Sequence, residues 1–213
     1  MKITIVAALL ALAPAAAMAQ KWEMGVAGGY SFLNHVDVTG GPSAATAGFA
    51  PGFAAGAFLG ENLYRHISGE IRYEYMRSNL RLTSGGQTAD FTGAAHALHY
   101  DVVFHTSAGA ENPVQAFASI GGGLKAFMGN GTESATQPLS QYGYFTKTNQ
   151  VKPMVTGSVG VKVRVSSGVA LRFEVRDFAT QFPTNVLAQP PGVKYSTWLN
   201  EVVPMVSLVF TTK

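Results

Sequence analysis

Hydrophobic and polar residues alternate with a period of two along much of this chain. In segment 67–75, Ile71 and Tyr73 fall on one face of an extended strand, whereas Arg72 and Glu74 fall on the other. Such alternation predicts a β-strand with one apolar face. Four separate matches predict an all-β fold. The four matching segments span residues 67–75, 98–105, 155–165 and 169–178.

Four more segments are predicted as strands less cleanly, because their many Gly and Ala residues weaken the assignment of faces. They span residues 22–31, 53–62, 114–127 and 200–211. The most apolar internal stretch, residues 47–59, contains Pro51 and several Gly and is better interpreted as a strand than as a membrane helix. The total of eight strands is even, as in bacterial single-chain outer-membrane barrels.

The connections between these strands alternate between long and short. The long links span residues 32–50, 78–92, 128–151 and 179–198, and the short ones span 63–66, 107–113 and 166–168. Outer-membrane barrels show the same asymmetry, with short turns on the periplasmic side and long loops outside. The pattern predicts a closed, antiparallel, eight-stranded transmembrane β-barrel with up-and-down meander topology, and both termini on the short-turn side.

The two faces of the predicted strands differ in chemistry. The polar face carries charges of both signs in near balance, which favours a network of ion pairs inside a narrow barrel. The other face is apolar, with aromatic residues near strand ends, as at a lipid interface. A soluble barrel with the polar face outside is the alternative. The predicted lumen network comprises Glu70, Arg72, Glu74, Asp101, Lys162, Arg164, Arg172, Glu174 and Arg176, and the aromatic positions are Trp22, Tyr30, Tyr75, Tyr100, Phe127, Trp198 and Phe210.

The first residues of the chain have the pattern of an export signal. Lys2 is followed by an apolar stretch over residues 3–13 and by small residues at 17–19, where Ala-Met-Ala fits the signal peptidase rule. We therefore expect a cleavable signal peptide at residues 1–19 and a barrel domain at residues 20–213.

Composition narrows the function classes. Apolar residues make up 47% of the chain and charged residues only 13%, which is about half the usual share. The net charge of +3 is small and the Lys and Arg residues are dispersed, so nucleic acid is not an expected partner. There is no Cys, which excludes disulfides and thiolate metal sites.

Two clusters of titratable residues suggest chemistry but have the wrong spacing for it. His99, Asp101 and His105 share a face but spread over roughly 20 Å of strand, too far to bind one metal ion; His96 lies nearby. Glu70 and Glu74 lie about 13 Å apart on one strand, too far for a glycosidase pair. Lumen-lining polar residues and ion pairs explain these positions better.

Two short motifs are also expected to be structural. The segment His66-Ile67-Ser68 superficially resembles the His-x-Ser of lipid A deacylase barrels, but it lies at a short turn rather than at the outer leaflet. The run Gly121-Gly122-Gly123 lacks a following Gly-Lys-Ser/Thr, so it is expected to allow close strand approach or a bend. No catalytic, cofactor-binding or metal-binding residue is predicted.

Two segments resemble a known group of proteins. Residues 171–178, Leu-Arg-Phe-Glu-Val-Arg-Asp-Phe, and the Gly-rich residues 116–125 are similar to strands of small outer-membrane β-barrel proteins, the OmpA-like transmembrane-domain group. Val206, Leu208 and Phe210 alternate near the C-terminus and look like the signal read by the outer-membrane assembly machinery. The resemblance implies an eight-stranded barrel in the outer membrane and hardly any activity.

Three functional hypotheses follow. The first is a non-enzymatic outer-membrane barrel with a structural or surface-interaction role, a lumen plugged by charged side chains and outward loops that could contact an unknown surface ligand. The second is a narrow porin-like channel for small solutes or ions. The third, disfavoured, is an enzyme that modifies lipid A. Outer-membrane lipid and the assembly machinery are the expected partners, and no cofactor is expected. The outward loops span residues 32–50, 78–92, 128–150 and 179–197.

Overall fold

The computed structural model describes residues 22–106 and 113–212, and its longest strands form a closed antiparallel barrel. Each barrel strand pairs with the barrel strands before and after it in the chain, and the first pairs with the last, which is the predicted eight-stranded meander. Residues 1–19, predicted as a signal peptide, lie outside the described residues. The barrel strands are β1 (Trp22–Leu33), β4 (Gly52–Tyr64), β5 (Ile67–Arg77), β8 (Gly93–His105), β9 (Val114–Gly129), β11 (Asn149–Arg164), β12 (Val169–Gln181) and β15 (Trp198–Thr211).

The prediction of one strand over residues 47–59 was wrong. Two strands occupy this stretch, β3 (Ala45–Phe49) outside the barrel and β4 within it, and Ala50 and Pro51 separate them. Proline has no N–H to donate to a ladder, so Pro51 marks the point where pairing stops. A Cβ at Gly52 would lie 2.0 Å from the carbonyl oxygen of Arg77, so the chain can enter the barrel wall at this point only with glycine.

The long links, for which the sequence predicted no conformation, contain seven short strands within the described residues. Five of them form one sheet in the order β14-β2-β3-β6-β7, and the other two, β10 and β13, pair with each other. Gly85 and Gly86 both have positive φ, at 56° and 78°, which suits the two-residue hairpin turn between β6 and β7. Besides β3, the short strands are β2 (Val36–Thr39), β6 (Leu80–Ser84), β7 (Gln87–Phe91), β10 (Tyr144–Phe145), β13 (Leu187–Ala188) and β14 (Lys194–Tyr195).

The outer surface of the barrel wall is apolar. Val159, Ile120 and Leu98 are 63%, 59% and 54% exposed, whereas the charged residues that alternate with such positions are buried inside. The charged residues at outward positions of the described barrel strands lie within four residues of a strand end; they are Glu61, Arg77 and Asp177. The predicted face assignment therefore matches the geometry of the wall.

Two aromatic positions differ from the expectation that aromatic residues ring the outer surface near strand ends. Phe127 is fully buried and points into the lumen, where its ring stacks on Phe49 at 5.4 Å. Tyr100 does face outward, but it lies mid-strand, where its hydroxyl covers Gly69. The residues of β9 are small or apolar on both faces, so the sequence pattern could not predict that Phe127 points inward.

Within residues 22–106 and 113–212, there is no helix with the length and apolar character needed to span a membrane.

Candidate functional site

The centre of the lumen is filled by ion pairs that start from Arg72. Its guanidinium lies 3.2 Å from Glu70, 3.1 Å from Glu74 and 3.5 Å from Glu174. Arg72 and its two neighbouring carboxylates belong to β5, whereas Glu174 belongs to β12, four strands away around the ring of eight. The contact between Arg72 and Glu174 therefore crosses the full width of the barrel.

Two arginines of β12 complete the cluster. Arg172 lies 2.5 Å from Glu70 and 2.7 Å from Glu174. Arg176 lies 2.7 Å from Glu174 and 2.5 Å from Asp101. Glu174 thus contacts all three arginines, and removing it would leave each of them with one anionic partner fewer. All these side chains are at most 5% exposed. Charge-assisted hydrogen bonds at such burial fix side chains firmly.

Aromatic rings close the cluster on the short-turn side. The guanidinium carbon of Arg72 lies 4.7 Å from the centroid of the Phe58 ring, and that of Arg172 lies 4.0 Å from the centroid of Phe117. Such cation–π contacts strengthen as water is excluded. The two rings therefore separate the charged centre from the mouth of the barrel.

A second buried ion pair, which sequence reasoning missed, lies on the loop side of the cluster. Lys125 of β9 pairs with Glu201 of β15, and the hydroxyl of Ser31 donates a hydrogen bond to the same carboxylate. The Lys125 ammonium also lies 5.1 Å and 5.2 Å from the ring centroids of Phe127 and Phe178. The sequence gave one sign of this pair: Lys125 is an isolated charge in a run of small residues, and Glu201 is an isolated charge in an apolar run.

The loop end of the lumen is apolar rather than charged. Phe49, from β3, reaches down to the Phe127 ring and lies 6.1 Å from Phe182. This layer continues without interruption into the core of the short-strand sheets, where Tyr195 donates a hydrogen bond to the Tyr142 carbonyl at 2.8 Å. Burial raises the pKa of the Tyr195 hydroxyl. The loops therefore cap the barrel with a hydrophobic core of their own.

Lys162 and Arg164, predicted as members of one lumen network, lie apart from the central cluster. Lys162 pairs with Glu23 at 2.8 Å at the short-turn mouth, and Arg164 is exposed at the end of β11. The reason is their height along the barrel, because it is Ser158 of β11 that lies opposite Arg176. The prediction that all nine residues form one lattice was wrong for these two.

A serine and a histidine meet at the same mouth. Nε2 of His105 lies 2.8 Å from the Ser68 hydroxyl, which donates a hydrogen bond to Asn62 at 2.9 Å. Nδ1 of His105 lies 2.9 Å from the Gln115 side-chain nitrogen and 3.3 Å from the Thr106 carbonyl oxygen. A general base must accept the nucleophile's proton, and here the Ser68 proton is directed to Asn62 rather than to His105.

The histidines predicted to be structural are separated by the fold. His96 faces outward and contacts the Tyr73 hydroxyl at 2.7 Å, whereas His99 lies in the lumen 2.8 Å from Asp101. Within residues 22–106 and 113–212, no group of three or more His, Asp or Glu side chains is arranged to hold a metal ion.

The triple glycine of β9 allows the close strand approach that was predicted for it. A Cβ at Gly121 would lie 2.0 Å from a carboxylate oxygen of Asp101, and one at Gly123 would lie 2.1 Å from the Leu98 carbonyl oxygen. Gly122 faces outward and has no such neighbour. The two inward glycines therefore make room for the charged cluster.

Comparison with known proteins identifies the architecture. No protein-family model matches the sequence, and no curated protein matches it. Among solved structures, the outer membrane protein OprG from Pseudomonas aeruginosa has a TM-score of 0.59 at 9% identity, over 89% of this chain and 95% of that one. The chain has the fold of small outer-membrane β-barrels. Neisserial surface protein A has a TM-score of 0.54 at 10% identity, over 89% of this chain and 96% of that one. Such low identities carry the fold alone.

Proposed function

We propose that this chain is an integral protein of the bacterial outer membrane, non-enzymatic, with a structural or surface-interaction role. One observation carries the proposal: the barrel wall is apolar outside and charged inside, the inverse of a soluble barrel. A closed barrel also satisfies its backbone hydrogen bonds within the wall, as hydrocarbon requires. The outer surface of the wall then contacts lipid, and the charged side chains lie inside the lumen, away from the lipid.

Heat-modifiable gel migration and membrane fractionation test this proposal. A folded barrel should run differently before and after boiling and should stay in the outer-membrane fraction after a high-salt wash. Protein recovered in the soluble periplasmic fraction, with one mobility under both conditions, would refute it.

The polar face of the five-stranded loop sheet is the proposed surface for contact with an external ligand. Asp37, Thr46, Thr83 and Thr88 lie in one row across β2, β3, β6 and β7. Deletion of the β6–β7 hairpin, residues 80–91, should abolish such contact and leave the barrel folded. A binding assay against whole cells, with and without this hairpin, measures the effect.

A narrow channel for small solutes is the second candidate, and the packing of the lumen argues against it. Ser119 and Ser158, small residues that could have left a gap, bond to each other at 2.6 Å. A Cβ at Gly160 would lie 2.6 Å from the Phe117 ring, so this ring fills the space that the missing side chain leaves in the lumen. We therefore expect no steady conductance in planar bilayers, and a reproducible open state would favour the channel.

The role of an enzyme on lipid A has the least support, because the Ser68 and His105 pair lies at the short-turn end and has the hydrogen-bond direction described above. Overexpression should leave the lipid A profile unchanged in mass spectra. A modified species that disappears in Ser68→Ala would overturn this view.

Export and assembly complete the proposal. Residues 1–19 would direct export and be removed, and the outer-membrane assembly machinery would read Val206, Leu208 and Phe210. These three residues face outward on the last strand and are 49%, 37% and 43% exposed. Replacement of Phe210 with Ser should lower the amount of folded protein in cells while refolding in detergent stays normal. Equal loss in both settings would assign the residue to stability instead.

A further inference from the structure

The loop end of the molecule contains a polar cavity of about 410 Å³, beside the rim that β11 and β12 form. The link between β12 and β15 supplies most of its lining, and β11 contributes Lys152. The volume lies in the range of pockets that hold small molecules. The cavity is separate from the ion pairs at the centre of the lumen and needs an explanation of its own.

The described lining of this cavity carries positive charge only. Lys152 and Lys194 contribute two positive charges, and no Asp or Glu lies among the lining residues. Within residues 22–106 and 113–212, neither ammonium group forms an ion pair or a hydrogen bond with another protein group. An anion that enters the cavity therefore meets two cations that no protein carboxylate neutralises.

The position of Lys152 in the barrel makes its unmatched charge costly. Lys152 lies directly opposite Lys125 in the ladder between β11 and β9, so the two side chains share one face of the wall. Like charges at directly opposite positions destabilise a sheet. Glu201 balances the charge of Lys125, whereas Lys152 is half-buried and has no such partner. A bound anion would supply the missing counter-charge.

The uncharged polar side chains of the lining are also available to a ligand. Two of them are amides and three are hydroxyls, so they can both donate and accept hydrogen bonds, as the hydroxyl groups of a sugar do. In the part of the chain that the structure describes, none of these side chains bonds to another protein group. They are Gln181, Thr184, Gln189, Ser196 and Thr197.

The cavity lies at the height of an interfacial tryptophan. Gln181, a lining residue, is the ladder partner of Trp198 at the loop end of the wall. Trp198 faces outward and is 61% exposed. Tryptophan at such a position marks the boundary between the apolar core and the headgroups of a membrane. In the proposed topology, the cavity is therefore level with the headgroups of the leaflet on the loop side.

We propose that this cavity binds a sugar phosphate, with the phosphate between Lys152 and Lys194 and the sugar against the amide and hydroxyl side chains. A phosphate monoester carries about −1.5 to −2 charges near pH 7, which matches two ammonium groups. The sugar phosphate comes either from a lipid headgroup or from a free molecule. Only the lipid source rests on the proposed function, because binding itself requires no more than the folded barrel.

The first test is isothermal titration calorimetry of the folded protein in uncharged detergent micelles, at constant low ionic strength. Glucose 1-phosphate is the probe, inorganic phosphate tests the contribution of the sugar, and methyl glucoside is the neutral control. We expect saturable binding of glucose 1-phosphate, weaker binding of inorganic phosphate and no binding of methyl glucoside.

The second test distinguishes the two sources of the ligand. The protein is placed in phosphatidylcholine nanodiscs with or without lipid A, a lipid whose sugars carry phosphate. If the lipid headgroup occupies the cavity, lipid A should weaken the binding of glucose 1-phosphate. Equal binding in both kinds of nanodisc assigns the cavity to a free sugar phosphate.

Variants with matched controls test the site itself. Lys152→Gln and Lys194→Gln should each weaken the binding of glucose 1-phosphate by about fivefold, the effect of losing one charge-assisted contact. Lys147→Gln removes the same charge from an exposed position outside the lining and should have no effect. Gln189→Glu places a competing anion in the cavity and should also weaken binding, whereas Gln87→Glu, on the β6–β7 hairpin, should not.

Several results would overturn the proposal. Equal weakening by Lys147→Gln and Lys152→Gln would mean attraction by overall charge rather than a site. Binding of methyl glucoside as tight as that of glucose 1-phosphate, or the absence of saturable binding, would refute the phosphate contact. Inorganic phosphate bound as tightly as glucose 1-phosphate would refute the assignment to a sugar. Heat-modifiable migration of every variant confirms that the barrel is folded, so a failure of binding is distinguishable from a failure of the membrane proposal.

Discussion

The buried pair of Lys125 and Glu201 offers a sharp test of how the lumen is stabilised. Their side chains are 0% and 1% exposed, and the Ser31 hydroxyl contributes one further hydrogen bond to the carboxylate. Lys125→Met retains most of the side-chain volume but leaves Glu201 without a cation. Breaking one side of a buried ion pair costs about 3–5 kcal/mol in free energy of unfolding. We expect a loss in that range.

Replacing both partners should reverse most of this loss. In Lys125→Met/Glu201→Met no buried charge remains, and apolar replacements of buried pairs are often neutral or stabilising by about 1–4 kcal/mol. Ser31 then loses one acceptor, which costs about 1 kcal/mol. The double variant should therefore be clearly more stable than either single variant, and the cycle gives the coupling between the two groups.

A second lysine–glutamate pair in the same barrel provides the matched control. Lys162 and Glu23 lie at the mouth, 20% and 16% exposed, so solvent screens their attraction. Lys162→Met should cost only about 0–1 kcal/mol. Urea unfolding in lipid vesicles, followed by the fluorescence of Trp22 and Trp198, measures all variants on one scale. A cost for Lys125→Met no larger than that for Lys162→Met, or a double variant as unstable as the single ones, would refute the reasoning.

Three further substitutions test the wall, the strand packing and the cap. Val161→Arg should cost about 2–4 kcal/mol if this position faces the centre of the bilayer, and a folded, heat-modifiable yield equal to the wild type would contradict that. Gly123→Ala should prevent normal folding because its Cβ would lie 2.1 Å from the Leu98 carbonyl oxygen, whereas Gly122→Ala should fold normally; equal folded yields of the two would disprove the packing. Phe49→Ala should lower the stability of the loop cap by about 3–5 kcal/mol, because it removes a buried aromatic ring. Limited proteolysis should then cleave the loops of the variant well before the barrel wall; loops that resist protease as well as those of the wild type would show that the cap does not depend on this ring.

The barrel wall could be predicted from the sequence because its two environments are chemically opposite. In the run from Leu171 to Arg176, apolar side chains face outward and alternate with charged side chains that face the lumen, so the period of two is strong. The ion pairs of Arg72 and Glu174 followed from this alternation, although which strands face each other required the ring order. Pattern alone gives the face of a residue but not its height along the barrel, as Lys162 shows.

The loop sheets and the second buried pair were beyond the reach of the pattern. Strands of two to five residues, such as β10 and β6, are too short to display a period, and tertiary pairing decides them. Lys125 follows a Gly-rich run in which neither face is distinctive. Glu201 belongs to a strand whose inward neighbours, Val203 and Met205, are as apolar as its outward ones. Where both faces look alike, alternation carries no information.

The apolar layer beneath the loops limits how this molecule can change its exterior. Phe127 and Phe178 belong to the wall, yet they are packed in one continuous cluster with loop residues such as Phe49 and Phe182. Replacing the loops of this barrel with foreign loops would remove that cover and expose apolar surface to water. In the proposed topology, substitutions in the loops leave this packing intact only on the side of the loop sheet that faces away from the barrel, and sequence differences among natural variants should concentrate there.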